Sequence, residues 1–210
     1  MNPDVYALPL YIASLVGSIA FALSGFLAGV RKDLDLMGLF ILAFITANGG
    51  GVIRDVLLSR PVALMQDAEP FFIAGGVLLV ASMLRLHRLQ QLETRWYVVV
   101  SDSIGLVAFG VTGAMIGMEA QTHFFGVLSL SLLTAVGGGV LRDILVNEKP
   151  VVLHSGFYGT VALVQGGVLF VLQQAHWLTP ASLLLVACAA LALRLVAFTR
   201  RWSIPKLRWE

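Results

Sequence analysis

The sequence predicts an all-α integral membrane protein, with seven transmembrane helices arranged as two inverted three-helix repeats and a seventh helix. Two observations carry this. Of 210 residues, 58% are hydrophobic and only 12% charged, a surface that a soluble domain of this size cannot cover. And Gly49-Gly50-Gly51-Val52-Ile53-Arg54-Asp55-Val56-Leu57-Leu58 returns 88 positions later as Gly137-Gly138-Gly139-Val140-Leu141-Arg142-Asp143-Ile144-Leu145-Val146.

The first apolar run, 8–30, follows Met1-Asn2-Pro3-Asp4, which lacks the basic region of a cleavable signal, so the run is read as retained. Gly17, Gly25 and Gly29 recur in it at every fourth position, broken by Phe21, a stripe suited to close helix packing. Span two, 36–58, holds the first glycine triplet and Arg54-Asp55. Span three, 71–86, is short and carries Gly75-Gly76. Span four, 96–118, opens on the interfacial pair Trp96-Tyr97 and repeats the glycine stripe at Gly105, Gly113 and Gly117 around Phe109. Span five, 124–146, holds the second triplet and Arg142-Asp143. Span six, 155–174, carries Gly166-Gly167. Span seven, 179–198, contains Cys188, the only cysteine, which excludes an intramolecular disulfide and reads as a small packing residue. Every connection is short, so the chain is one transmembrane domain over 1–210, with repeat one about 8–86, repeat two about 96–174 and the seventh helix about 179–198.

Gly17, Phe21, Gly25, Gly29, Gly38, Thr46 and Ala47 correspond to Gly105, Phe109, Gly113, Gly117, Gly126, Thr134 and Ala135. Three spans per unit is an odd number, so the second unit enters from the opposite side and the repeats are inverted. Orientation comes from the basic residues. Arg31, Lys32, Arg85, Arg88, Arg95, Lys149, Arg200, Arg201, Lys206 and Arg208 fall on one side and Arg60 alone on the other. The bias places the N-terminus outside and the C-terminus in the cytoplasm of a multi-pass protein of the cell (inner) membrane.

Three consecutive glycines weaken a helix, and both triplets lie near the middle of a hydrocarbon core about 30 Å thick. The expectation is a break whose free carbonyls and amides face a cavity. Carbonyls near Ile45 to Asn48 and Leu133 to Val136 favour a cation; amides from Gly51 and Gly139 favour an anion. The backbone alone leaves the sign open. Arg54 and Arg142 follow one turn later. Neighbouring helical residues point about 100° apart, so Arg54 is not expected to pair directly with Asp55. Asp102, well inside span four at the depth of Arg142, is the expected partner of that arginine; the equivalent position in unit one is Ser14. Asn48, whose counterpart is Val136, either ligands an ion or caps a broken turn. Asp143 and the paired Thr46 and Thr134 complete the candidate pore-lining and charge network.

His87, His123, His154 and His176 have no metal-ligand spacing, and no catalytic arrangement is visible. No enzyme activity, cofactor, resident metal or nucleic-acid partner is expected.

At GGGVIRDVLL and GGGVLRDILV the chain resembles the bacterial branch of the trimeric intracellular cation (TRIC) channel family, over nearly its whole length. The resemblance implies a homotrimer in membrane lipid. Each subunit encloses an hourglass pore for monovalent cations, mainly K⁺, narrowest where spans two and five kink at Gly49, Gly50, Gly51, Gly137, Gly138 and Gly139. It places Arg54, Asp55, Arg142 and Asp143 beside that path. Two features depart from the animal members. Asn48-Gly49-Gly50-Gly51-Val52 replaces a lysine-containing motif associated with phosphoinositide binding, and residues 96–118 contain no Lys or Arg for voltage sensing. Taken alone, two arginines beside two broken helices equally fit a secondary transporter of a small zwitterion or anion such as glycine.

Overall fold

The computed structural model describes residues 3–86, 91–154, 156–200 and 202. Arg88, Arg201, Lys206, Arg208 and the side chain of Arg95 lie outside the described residues. The helices are α1 (Pro3–Val30), α2 (Leu36–Leu57), α3 (Ala63–Gln66), α4 (Glu69–Met83), α5 (Gln91–Glu119), α6 (Phe124–Leu145), α7 (Gly156–Gln174) and α8 (Pro180–Thr199), with a 3₁₀ turn at Val151–Leu153. Among the described residues six helices are long and apolar enough to cross a membrane, and α4 is a shorter apolar helix of 15 residues. The four-residue α3 has no expected counterpart; it lies in the connection after α2, where no apolar period announces it.

Local chemistry sets the helix ends. The Asp35 carboxylate accepts from the Gly38 amide at the start of α2, and the His123 ring does the same for Gly126 at the start of α6. The chain leaves α1, α2, α5 and α6 through left-handed residues at Asp33, Ser59, Gln121 and Asn147. Each cap and each exit is thus matched 88 positions later. Thr179 and Ser182 form a capping box under α8, with Pro180 beginning the helix.

Packing repeats the same exchange. At the centre α1 lies on α5 and α2 on α6; α4 flanks α1 and α2 as α7 flanks α5 and α6, and α8 covers α5 and α7. The Phe21 and Phe109 rings meet in a tilted contact, centroids 5.3 Å apart, where α1 crosses α5. A Cβ added to Gly17 would meet the Phe109 ring at 2.8 Å, and one added to Gly105 would overlap the Phe21 ring. Each glycine is the seat for the other unit's phenylalanine, so the stripe serves packing. Large apolar side chains such as Leu8, Phe72, Leu79, Leu184 and Leu185 remain exposed on the outer helices, the surface a bilayer covers. Cys188 is exposed rather than packed inside, a correction to the sequence reading: α8 is peripheral, and Cys188 lines an open apolar groove that α8 forms with α1 and α5.

Candidate functional site

The two glycine triplets meet at the centre of the bundle. Both α2 and α6 run through them as uninterrupted helices, and none of these six glycines adopts a positive φ. The expected break is therefore corrected. The glycines are there because the two backbones touch: a Cβ on Gly50 would overlap the Thr134 carbonyl oxygen, and one on Gly138 the Thr46 carbonyl oxygen. A Cβ on Gly137 would stand 2.9 Å from the Gly50 Cα. The helical cost of glycine, about 1 kcal/mol per residue, is offset by this close crossing. Leu141 and Ile53 seal it at Gly49 and Gly137. With the helices intact, free half-helix ends do not face an ion, and the charged side chains carry the site's electrostatics.

Polar cavities approach the crossing from opposite ends of the bundle. The first, about 160 Å³, is lined by Ser14, Ser18, Asn48, Gly51, Arg54, Asp55, Asp67 and Glu69 among others. Arg54 Nε donates to Asp55 Oδ1 at 2.9 Å and its Nη2 lies 2.8 Å from the same oxygen, while Asp55 Oδ2 accepts from the Ala63 amide at 3.2 Å. The Asn48 side-chain amide donates back to the Phe44 carbonyl at 2.8 Å. With α2 intact, Asn48 caps no broken turn.

The second cavity, about 680 Å³, is lined by residues including Arg142, Asp143, Arg194, Lys149 and His154. Arg142 is 2% exposed. Its Nε and Nη2 donate to Asp143 Oδ1 at 2.9 and 2.7 Å; its Nη1 donates to Asp102 Oδ1 at 2.6 Å and to the Ser24 hydroxyl. Asp143 Oδ2 accepts from the Val151 amide at 2.9 Å. Arg142 thus ties α1, α5, α6 and the 3₁₀ turn together. Direct pairing within Arg54-Asp55 and Arg142-Asp143 corrects the expectation that neighbours diverge too far. The 100° separation applies at Cβ; the long arginine chain curls across it, held by an aspartate whose other oxygen is anchored to the following loop.

Sequence reasoning missed Arg194. It is 2% exposed in α8, with its guanidinium carbon 4.9 Å from the Tyr158 ring centroid, a cation–π contact. A lone charge inside an apolar span was the available signal. Tyr158 Oη and Asp102 Oδ1 both reach the side of Gly139, 2.9 and 3.4 Å from where its Cβ would stand. Unit one has Asp67, at the 91-residue shift that aligns Gly75-Gly76 with Gly166-Gly167, and Ser14 at the corresponding places. The first cavity consequently reaches Gly51, whereas side chains fill the equivalent space beside Gly139.

At the rim of the second cavity Glu148 bridges Arg31 at 3.2 Å and Lys32 at 3.0 Å. Partial burial pushes the Glu148 carboxyl up; the Lys32 hydrogen bond and the charges of Arg31, Lys32 and Arg142 outweigh it and hold the group below the usual carboxylate range. The 88-shifted positions carry the mirror pair with signs exchanged, Arg60–Glu119 at 3.5 Å on the opposite end.

Residues 11–85 and 99–174 match the family described as "Glycine transporter". The UPF0126 membrane protein YvgT of Bacillus subtilis is 30% identical over 196 residues, covering 92% of this chain and 94% of the relative. A prokaryotic TRIC channel crystallised in 0.5 M KCl superposes with a TM-score of 0.87 at 29% identity, over 94% of this chain and all of that one. A second solved structure, concerned with conductance through TRIC cation channels, has a TM-score of 0.81 at 32% identity over 95% of this chain and 97% of its own.

Proposed function

We propose, because this chain belongs to the TRIC channel family and to the family described as "Glycine transporter", that it is a K⁺-permeable cation channel of the inner membrane with a pore inside each subunit of a homotrimer. One observation carries the reading: two polar cavities enter from opposite ends and are separated by the crossing of α2 and α6. The crossing at Gly49, Gly50, Gly51, Gly137, Gly138 and Gly139 is the constriction. Thr46, Thr134, Asn48 and the Arg54-Asp55, Asp102 and Arg142-Asp143 groups line or control the approaches. Backbone meets backbone at Gly50 and Gly138, with Leu141 and Ile53 sealing either side, so a slide of α2 against α6 that carries these two side chains aside opens the path.

Seven spans and inverted repeats follow from the same reading. The caps, helix exits, ion pairs and glycine contacts exchange on a shift of 88, and the two cavities open to opposite ends. Arg31, Lys32, Arg85, Lys149 and Arg200 share one end of the bundle and Arg60 the other, which supports a cytoplasmic C-terminus and an outside N-terminus.

A second reading, a carrier of a small zwitterion such as glycine, draws on the first cavity: about 160 Å³, with one guanidinium and three carboxylates along its wall. Flux from purified protein in liposomes separates the two. K⁺ uptake without a co-substrate supports the channel; saturable glycine counterflow without K⁺ conductance refutes it.

A further inference from the structure

The two mouths carry opposite charge. In the first cavity Arg54 faces Asp55, Asp67 and Glu69, one cation against three carboxylates. Arg54 is already paired with Asp55, so the excess belongs to Asp67 and Glu69. In the second cavity Arg31, Lys32, Arg142, Lys149 and Arg194 face Asp143 and Glu148. Even with Asp102 included, five cations stand against three carboxylates.

We propose that this opposition makes the channel rectify, passing K⁺ more readily from the acidic mouth to the basic one, which is inward in the orientation given above. The inference rests on the channel reading. Charged clefts with low-dielectric walls focus potentials of several kT and change the local concentration of a permeant ion accordingly. A single-file pore driven hard in one direction is limited by ion capture at the mouth it draws from. The acidic mouth concentrates K⁺ and the basic mouth depletes it. Each kT of potential difference between the mouths changes the ratio of the two capture rates by about threefold.

The buried guanidiniums belong to the fold, so the rim residues are the ones to vary. Tyr11 donates to Glu69 at 2.9 Å, and Arg31 and Lys32 hold Glu148; none of these touches the glycine crossing.

Inside-out patches from cells expressing the full chain keep its orientation fixed. In symmetric KCl of about 0.1 M, where the Debye length is about 10 Å, inward current should exceed outward current by about threefold or more at equal and opposite voltages. At about 1 M, where that length is about 3 Å, the ratio should fall toward one. Neutralising the acidic mouth with Asp67→Asn and Glu69→Gln should reduce the ratio at low salt. Exchanging both rims, with Asp67→Lys and Glu69→Lys together with Arg31→Glu and Lys32→Glu, should invert it. A linear or outwardly rectifying wild-type current at low salt overturns the proposal while leaving the channel standing. So does rectification unchanged by salt, a test that needs no variant. Absence of any K⁺ current overturns the channel reading and this inference together.

Discussion

Removing Asp102 and removing Arg142 should have unequal costs, and the structure sets the order. Arg142 sits between two buried carboxylates, Asp102 at 2.6 Å and Asp143 at 2.7 Å. Asp102→Asn leaves Arg142 neutralised by Asp143, so what is lost is mainly a charge-assisted hydrogen bond, about 1.5–3 kcal/mol. Arg142→Gln strands two carboxylates beneath the surface. Breaking a buried pair by removing one partner costs about 3–5 kcal/mol, and here that is the lower end. The double variant Asp102→Asn/Arg142→Gln leaves only Asp143, which still accepts from the Val151 amide. It should therefore be more stable than the sum of the single losses predicts, by about 1–3 kcal/mol. The assay is a double-mutant cycle on the melting temperature in detergent, where each kcal/mol corresponds to about 2–4 °C for a chain of this size. Ser14→Ala, at the unit-one position equivalent to 102, should change little. Strictly additive effects at 102 and 142, or Asp102→Asn costing more than Arg142→Gln, would refute the reasoning.

Gly50→Ala and Gly138→Ala should each disrupt folding or abolish flux, because even one methyl overlaps a carbonyl oxygen across the crossing. Gly51→Ala meets nothing nearer than Arg54 Nη2 at 3.8 Å and should be tolerated or raise the melting temperature, since alanine favours helix by about 1 kcal/mol. Near-wild-type flux and melting in both disruptive variants would move the path away from α2 and α6. The Glu148 carboxyl is held below its ordinary range in the folded protein, so its bridge stabilises above the unfolded pKa of about 4.3 and loses that effect as pH falls through the folded pKa. Glu148→Gln should accordingly melt lower than wild type at neutral pH, with the gap closing in acid; a gap independent of pH counts against the bridge. A reporter active only in the cytoplasm and fused after the C-terminus should give signal, and silence there would reverse the orientation.

The helices were readable because hydropathy and turn residues determine them locally, and the 88-residue shift was readable because a repeat leaves the same letters at the same offset. What the letters mean was less accessible. Glycine's low helix propensity predicts a break, but propensity is worth about 1 kcal/mol per residue and loses to an overlap between two backbones, a contact between residues such as Gly50 and Thr134 that no local window sees. Arg54-Asp55 misled for a similar reason: a rule for side-chain direction near the backbone was applied to a guanidinium several bonds away. Asp102 could be paired with Arg142 because both are costly at the same depth, so each demands a partner. By the same logic Arg194 was findable, although its aromatic partner was not, since Tyr158 gives no signal of its own in an apolar run. These residues also break the repeat. A chain of two equal units has no physical reason to differ at its two ends, yet Tyr158 and Asp102 stand beside Gly139 where Asp67 and Ser14 leave Gly51 open to the first cavity. Asp67 and Glu69 then give the open mouth its charge. The duplicated residues build the crossing, and the unduplicated ones make its two approaches unlike.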